Sequence, residues 1–446
     1  MIKRCFFTAA AWLLGFYANA QVLSLRDQAK VTDEILAERF NNLLPALMEK
    51  NNIDCWVIIS REYNEDPVLK TMLPAEWLSA RRRTILVFYN NVAEKKFEKL
   101  AIARYSVGDN IKAAWDMQQF PDQWDALVNA LVTRKPKKIG INTSVNFAHA
   151  DGLDHTEYTQ LLAKLPKNYL SKIVSAEPLA VGWLETRTPH EMQFYPQLIN
   201  YTHQIIAEGF SEKVITPGIT TTDDVVWWFR QKIRESGFDT WFHPSVSIQR
   251  SDSVQFDHLR NFTNSSAEVI QPGDLLHVDI GITYLRLNTD VQEHAYILQP
   301  GETKLPDALK LALAHANRLQ DILIEQFAEG KTGNQILAAA LAKATQEGIT
   351  ASIYTHPIGY HGHAAGPTIG MWDQQNGVPG SGDFPLHYNT AYSIELNAAT
   401  NIPAWKKQVR IMLEEDGFFS EEGFRFISGR QKEIYLVPRV NPLISQ

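Results

Sequence analysis

Asp279 lies in the apolar run His277-Val278-Asp279-Ile280-Gly281, and Asp290 follows eleven positions later (290 − 279). A glycine-rich segment, Thr355 to Gly366, then holds His356, His361 and His363, three of the chain's 13 histidines. Glu395 follows in Ser393-Ile394-Glu395-Leu396, and Glu415 in Met412-Leu413-Glu414-Glu415-Asp416. Carboxylates set in apolar strands are costly to bury unless a cation meets them, and aspartate is depleted from strand interiors. Glycines beside the histidines permit close backbone approach. Four carboxylates and a histidine, with no thiolate, form a hard ligand set that suits manganese, cobalt(II) or iron(II) better than structural zinc. Carboxylates of this kind can bridge two ions roughly 3.5–4 Å apart with a hydroxide between them as nucleophile. The pattern predicts a dinuclear hydrolase with two divalent ions as cofactors, manganese first and cobalt, zinc or iron as alternatives.

These residues need strands to carry them. Leu275 to Thr283 and Asp290 to Leu298 read as strands, as do Ala391 to Ala398, Gln408 to Glu415 and Gly417 to Ile427. Helical spacing marks Asp223 to Ser236, Leu305 to Ala328 (a core-facing element) and Asn334 to Glu347. Upstream, helix-like Glu34 to Asn51 and Trp124 to Thr133 alternate with strand-like Cys55 to Ser60, Thr84 to Tyr89 and Lys138 to Asn142. That alternation predicts an α/β layer domain. Thr188 as N-cap and Pro189 in the first turn open a long helix toward Lys213. The division expected is a signal peptide over 1–20, an α/β domain over 21–185 and a catalytic domain over 186–446.

At 446 residues two domains are natural. A formal charge of −7 offers no basic field for nucleic acid. Lys3 and Arg4, the apolar run Cys5 to Tyr17, and Ala18-Asn19-Ala20 read as a secretory signal cleaved before Gln21. The expectation is export, to a periplasm or beyond, with no membrane association after the signal is removed. Cys55 then stands alone as a core thiol without a disulfide. Arg81-Arg82-Arg83 reads as a solvated or salt-bridged run, and His149 to His155 as a loop or turn. Trp227 and Trp228 read as packing, and Gln374 to Asp383 as a mobile surface loop.

Together the acids and histidines resemble the pita-bread metallopeptidases, among them methionine aminopeptidase, aminopeptidase P and prolidase, with metal-free creatinase as a relative. The resemblance runs from about Glu185 to the C-terminus, and the α/β domain before it is similar to that of aminopeptidase P, prolidase and creatinase. It implies Asp279, Asp290, His363, Glu395 and Glu415 as metal ligands, His363 lying in Gly362-His363-Ala364-Ala365-Gly366. It also implies Glu395 as general base, and His258 and His361 as groups that position the scissile carbonyl, with His243 a weaker candidate. The family's second active-site histidine follows the ligand by seven residues. Position 370 is Gly370, with Trp372-Asp373 nearest, so His361 or His356 is left to take that part. His361 competes with His363 for the metal, and Glu414 with Glu415, because strand alternation sends neighbours to opposite faces. The function implied is hydrolysis of short peptides near proline, by a homodimer. The rivals are a metal-free creatinase-like C–N hydrolase and a catalytically silent peptide-binding module.

Overall fold

The computed structural model describes residues 22–251 and 267–439. The expected signal segment and His258 lie outside the described residues. The first six strands are β1 (Cys55–Arg61), β2 (Arg83–Asn91), β3 (Lys96–Ala101), β4 (Lys112–Ala113), β5 (Ile139–Ile141) and β6 (Ile173–Ser175). They form one sheet in the order β4-β3-β2-β1-β5-β6, with β1, β5 and β6 parallel. Trp56 and Ile58 of β1 pack into one apolar cluster, and Cys55, Val57 and Ile59 into another on the opposite face. A strand buried on both sides reads as a continuous apolar run. Burial, with Asp54 adding to it, pushes the Cys55 thiol far up, as befits an inert core residue. Arg83 pairs with Glu157 at 2.9 Å and Arg81 lies over Trp77, so the arginine run is held by local partners.

The helix expected over Glu34 to Asn51 starts earlier and is interrupted. Leu25–Glu38 and Leu44–Lys50 are α-helical, and Arg39–Leu43 between them is a π turn. The wider turn carries Arg39 inward, where it is fully buried and pairs with Glu191 at 2.9 Å. Arg187 meets the other oxygen of Glu191, also at 2.9 Å. Burial would raise the Glu191 carboxyl, but the two guanidiniums hold it below the usual range. The helix expected from Thr188 begins at Glu191 and runs to Gly209; Thr188 lies three residues before it, with Glu191 N–H donating to Thr188 Oγ1 and Thr188 N–H to Glu191 Oε2. Both guanidiniums also lie over the Tyr360 ring, 4.9 and 4.7 Å from its centroid. This buried triad ties the first helices to the histidine segment.

The later strands are β7 (Ser245–Gln249), β8 (Leu275–Ile280), β9 (Thr283–Tyr284), β10 (Leu287–Asn288), β11 (Val291–Ile297), β12 (Thr350–Ile353) and β13 (His356–Ile358). They continue as β14 (Thr390–Ser393), β15 (Leu396–Ile402), β16 (Lys407–Leu413), β17 (Asp416–Ser420), β18 (Gly423–Phe426) and β19 (Tyr435–Val437). One sheet runs β19-β11-β8-β7, a second β12-β15-β16, a third β13-β14-β17-β18. Helices Asp307–Ile324 and Gly333–Gln346 bury Leu309, Leu313, Leu319, Ile336 and Leu337 with β15 and β16 side chains. The chain passes between the second and third sheets three times, from β12 to β13, β14 to β15 and β16 to β17. The single strand expected over Ala391 to Ala398 is therefore two strands, with Glu395 in the break. The chain bends there because its apolar faces must serve two different sheets.

Gln374 to Asp383, expected as a mobile loop, is tied down. Asn334 accepts from Val378 N–H at 2.7 Å and donates to Val378 O and to Asp383. Among the described residues no helix is long and apolar enough to cross a membrane. Glu185, at the end of helix Glu177–Glu185, is 1% exposed and neither carboxylate oxygen has a hydrogen-bond partner among the described residues. Burial pushes its pKa up to about 8, against the partial offset of Lys50 and Arg187. A raised acid contributes stability that is lost as pH climbs from the unfolded value toward the folded one. Glu185→Gln should therefore raise the Tm progressively between pH 5 and 8, with an effect on the order of a few kcal/mol at the upper end. Thermal melts of both proteins across that range check it; parallel Tm curves would contradict it.

Candidate metal centre

Strand register decides which acids meet. Gln292 of β11 stands opposite Asp279 of β8, and opposite Glu414 in an isolated bridge on its other side. Residues paired across a sheet share a face, so Asp279, Gln292 and Glu414 form one row. Asp290, two residues before Gln292, points the same way. Glu293 and Glu415 are each one residue out of phase and turn to the other face. Ligand atoms of Asp279, Asp290 and Glu414 lie within 4.8 Å of one another, and so do those of His356, Glu395 and Glu414. A third group, Asp290, His356 and His363, overlaps both.

The structure thus gathers Asp279, Asp290 and Glu395 as expected, and alters two choices. Glu414, not Glu415, faces the cluster. Glu415 pairs with His203 at 2.9 Å, accepts from Gln431 N–H at 2.9 Å, and neighbours Glu293, which accepts from Tyr435. Burial opposes charge on His203, but its bond to Glu415 and the charges of Glu415 and Glu293 raise it to about 9. In that second group His203 supplies a charge to Glu415, while burial and then Glu415 push Glu293 up to about 8. Likewise His356, not His363, is the buried histidine among the carboxylates. His363 stands at the exposed edge, its ring 4.8 Å from that of His356 and 5.1 Å from Trp241. The Gly-His-x-x-Gly pattern pointed to His363 because Thr355 replaces the glycine before His356-Pro357-Ile358-Gly359. The seven-residue step from His356 to His363 (363 − 356) was the signal that identifies the pair. With it, the apparent loss at Gly370 disappears.

The donor chemistry fits divalent cations. Burial first and Glu414 second push the Asp279, Asp290 and Glu395 carboxyls well above their ordinary range. Asp279 Oδ1 and His356 Nε2 are buried without a hydrogen-bond partner among the described residues. His356 Nδ1 lies 3.0 Å from the Pro357 carbonyl, an acceptor only, so Nδ1 carries a hydrogen and Nε2 is the ring atom left to act as a ligand. Nε2 faces Asp290 Oδ2 at 3.8 Å and Glu414 Oε1 at 3.6 Å. Those spacings are too long for hydrogen bonds and short enough for both atoms to reach one ion. A cation between them would be met by both carboxylates and by Nε2.

A cleft of about 540 Å³ opens beside His363, lined also by Trp241, Asn288, Tyr360, His361 and His149. Its volume falls within the range of small-ligand sites, about 300–1,000 Å³. Gly362 crosses Trp241 so closely that a Cβ there would sit 2.3 Å from the indole. His361 is not among the carboxylates; its ring packs on His149 at 4.3 Å and burial, then His149, lowers it to about 3. Burial and His356 lower His363 to about 4. Both stay neutral near pH 7 and can share hydrogen bonds with a substrate. His149, read from sequence as a loop residue, belongs to a short 3₁₀ turn that forms the far wall of this cleft. No local spacing announced it, because only the tertiary fold brings it there. His243 instead contacts Trp227, 58% exposed, away from the carboxylates.

With the geometry in hand, residues 197–417 match the model for Metallopeptidase family M24. Through this segment the chain belongs to the pita-bread metallopeptidases of that family. Among curated proteins none matches. The fold is similar to that of an X-Pro aminopeptidase from Thermotoga maritima (TM-score 0.60, 16% identity, 87% of this chain and 99% of that one). It is also similar to a prolidase from Pyrococcus horikoshii (0.54, 14%, 92% and 99%) and a dipeptidase from Mycobacterium ulcerans (0.57, 17%, 92% and 99%). At such identities the likeness establishes the fold, including a domain before the catalytic one.

The register separates neighbouring residues experimentally. Glu414→Ala should lower the metal retained per chain at least tenfold, while Glu415→Ala should leave it within about twofold. Elemental analysis after dialysis against a fixed free-metal level reads the difference, and the reverse order would refute the assignment.

Proposed function

We propose that this protein is an exported, dinuclear metal-dependent peptidase that hydrolyses short peptides next to proline. The observation that carries the reading is the convergence of Asp279, Asp290, His356, Glu395 and Glu414, with Asp279 Oδ1 and His356 Nε2 unpartnered. In this reading Asp279, Asp290, His356, Glu395 and Glu414 would hold the ions, and manganese suits the oxygen-rich set best. Export is supported by the basic, apolar and small-residue order of residues 1–20. The proline preference is supported by the X-Pro aminopeptidase and prolidase among the structural neighbours.

Divalent ions held there would polarise the scissile carbonyl and lower the pKa of an attacking water. The chain's own residues do the rest. Glu395 takes the proton from the attacking water and later delivers it to the leaving amine. His363, neutral and exposed to the cleft, donates to the carbonyl oxygen as charge develops on it. Trp241 and Tyr360 give the cleft apolar walls that exclude water and accept a pyrrolidine ring. His361 and His149 contact the substrate beyond the scissile bond.

The test is hydrolysis of Xaa-Pro and non-proline dipeptides and tripeptides, with manganese, cobalt or zinc added to chelator-treated protein. Restored cleavage of the proline peptides supports the reading; no turnover under any metal sinks it. His363→Ala should retain metal and lose about 10²-fold in kcat. Loss of metal with it, or unchanged kcat, would remove His363 from the proposed role.

A further inference from the structure

Gln292 lies at the centre of the carboxylate row, and the peptidase reading gives it no part. Its Nε2 is 2.7 Å from Glu414 Oε2 and 3.0 Å from Glu395 Oε1. Carboxylates only accept, so both amide hydrogens are used, one on each acid. The same constraint fixes the amide's orientation. Its oxygen must face His277 Nε2, 2.8 Å away, and that nitrogen must donate. His277 can reach because it lies two residues before Asp279 on β8, diagonal to Gln292 across the pair. The other Glu414 oxygen accepts from Ser393 Oγ at 2.6 Å. Among the described residues each Glu414 oxygen therefore carries one hydrogen bond and keeps a lone pair for a cation.

We propose that Gln292 is a positioning residue that clamps Glu395 and Glu414 through one amide nitrogen, and that His277 sets the direction of the clamp. The inference rests on the metal-centre reading above. Two like charges drawn together in a buried site repel, and the shared donor lowers that repulsion before any ion arrives. The acids are then held at a fixed separation, so less reorganisation is needed on binding. Partners that orient ligand side chains in this way are worth 10- to 100-fold in metal affinity. His277 reaches Glu395 and Glu414 through Gln292, so its contribution to metal binding should vanish when Gln292 is gone.

The test is calorimetric titration of the full chain with Mn²⁺, together with the visible absorption of its Co²⁺ form. Gln292→Met keeps length and flexibility but removes both donors. Its expected Kd is 10- to 100-fold weaker, with an altered Co²⁺ spectrum and far-UV circular dichroism like the parent's. His277→Ala should weaken binding by a smaller factor, and add nothing in the Gln292→Met background. Unchanged Kd and spectrum in Gln292→Met overturn the proposal, as does a lower Tm alone, which is what a merely structural role gives. Should Gln292→Met fail to fold, His277→Ala decides, and an unchanged affinity there overturns the clamp. Failure of the parent itself to bind Mn²⁺ or Co²⁺ would instead reject the metal centre on which the clamp rests.

Discussion

Four carboxylates aimed at one point cannot all be ionised without a compensating charge, and this constraint organises the second half of the molecule. Asp279, Asp290, Glu395 and Glu414 come from four separate segments, and three sheets must meet for them to converge. Three cations of the described residues are used elsewhere. Arg39 and Arg187 are spent on Glu191, and His203 on Glu415. Among the described residues the cluster is met by the amide of Gln292, the Ser393 hydroxyl and the His356 ring. Such an arrangement is costly in the metal-free chain, and bound cations would offset that cost.

The acids sit where the chain changes sheets. Glu395 fills the break between β14 and β15, Glu414 that between β16 and β17, and His356 opens β13 just after the crossing from β12. At a crossing the backbone leaves one ladder before joining the next, so side chains there can project into the space between sheets. Pairing of Gln292 with both Asp279 and Glu414 then fixes the register. A one-residue slip would replace Glu414 with Glu415 and disperse the cluster.

Much of this was legible in the sequence. The apolar runs Cys55 to Ser60 and Leu275 to Thr283 hold the strands Cys55–Arg61 and Leu275–Ile280 because their burial demands it, while the helix expected from Thr188 starts at Glu191. Asp279, Asp290 and Glu395 were identifiable because acids in apolar strands need a reason to be there. Glu414 against Glu415 was not, since adjacent acids differ only in the face they take, which a long-range bridge decides. His356 was obscured by Thr355 in place of glycine, although its seven-residue step to His363 was present. His149 was invisible for a different reason. Its place in the cleft wall arises from the docking of the first sheet's loops against the histidine segment, beside the Arg39, Glu191 and Arg187 triad and Tyr360.

The most direct test of the account is anomalous diffraction from crystals of the protein grown with Mn²⁺. Two peaks are predicted, one among Asp279, Asp290 and Glu414, the other among Asp290, His356, Glu395 and Glu414. The absence of any peak there, or a peak instead at His203, Glu293 and Glu415, would contradict it.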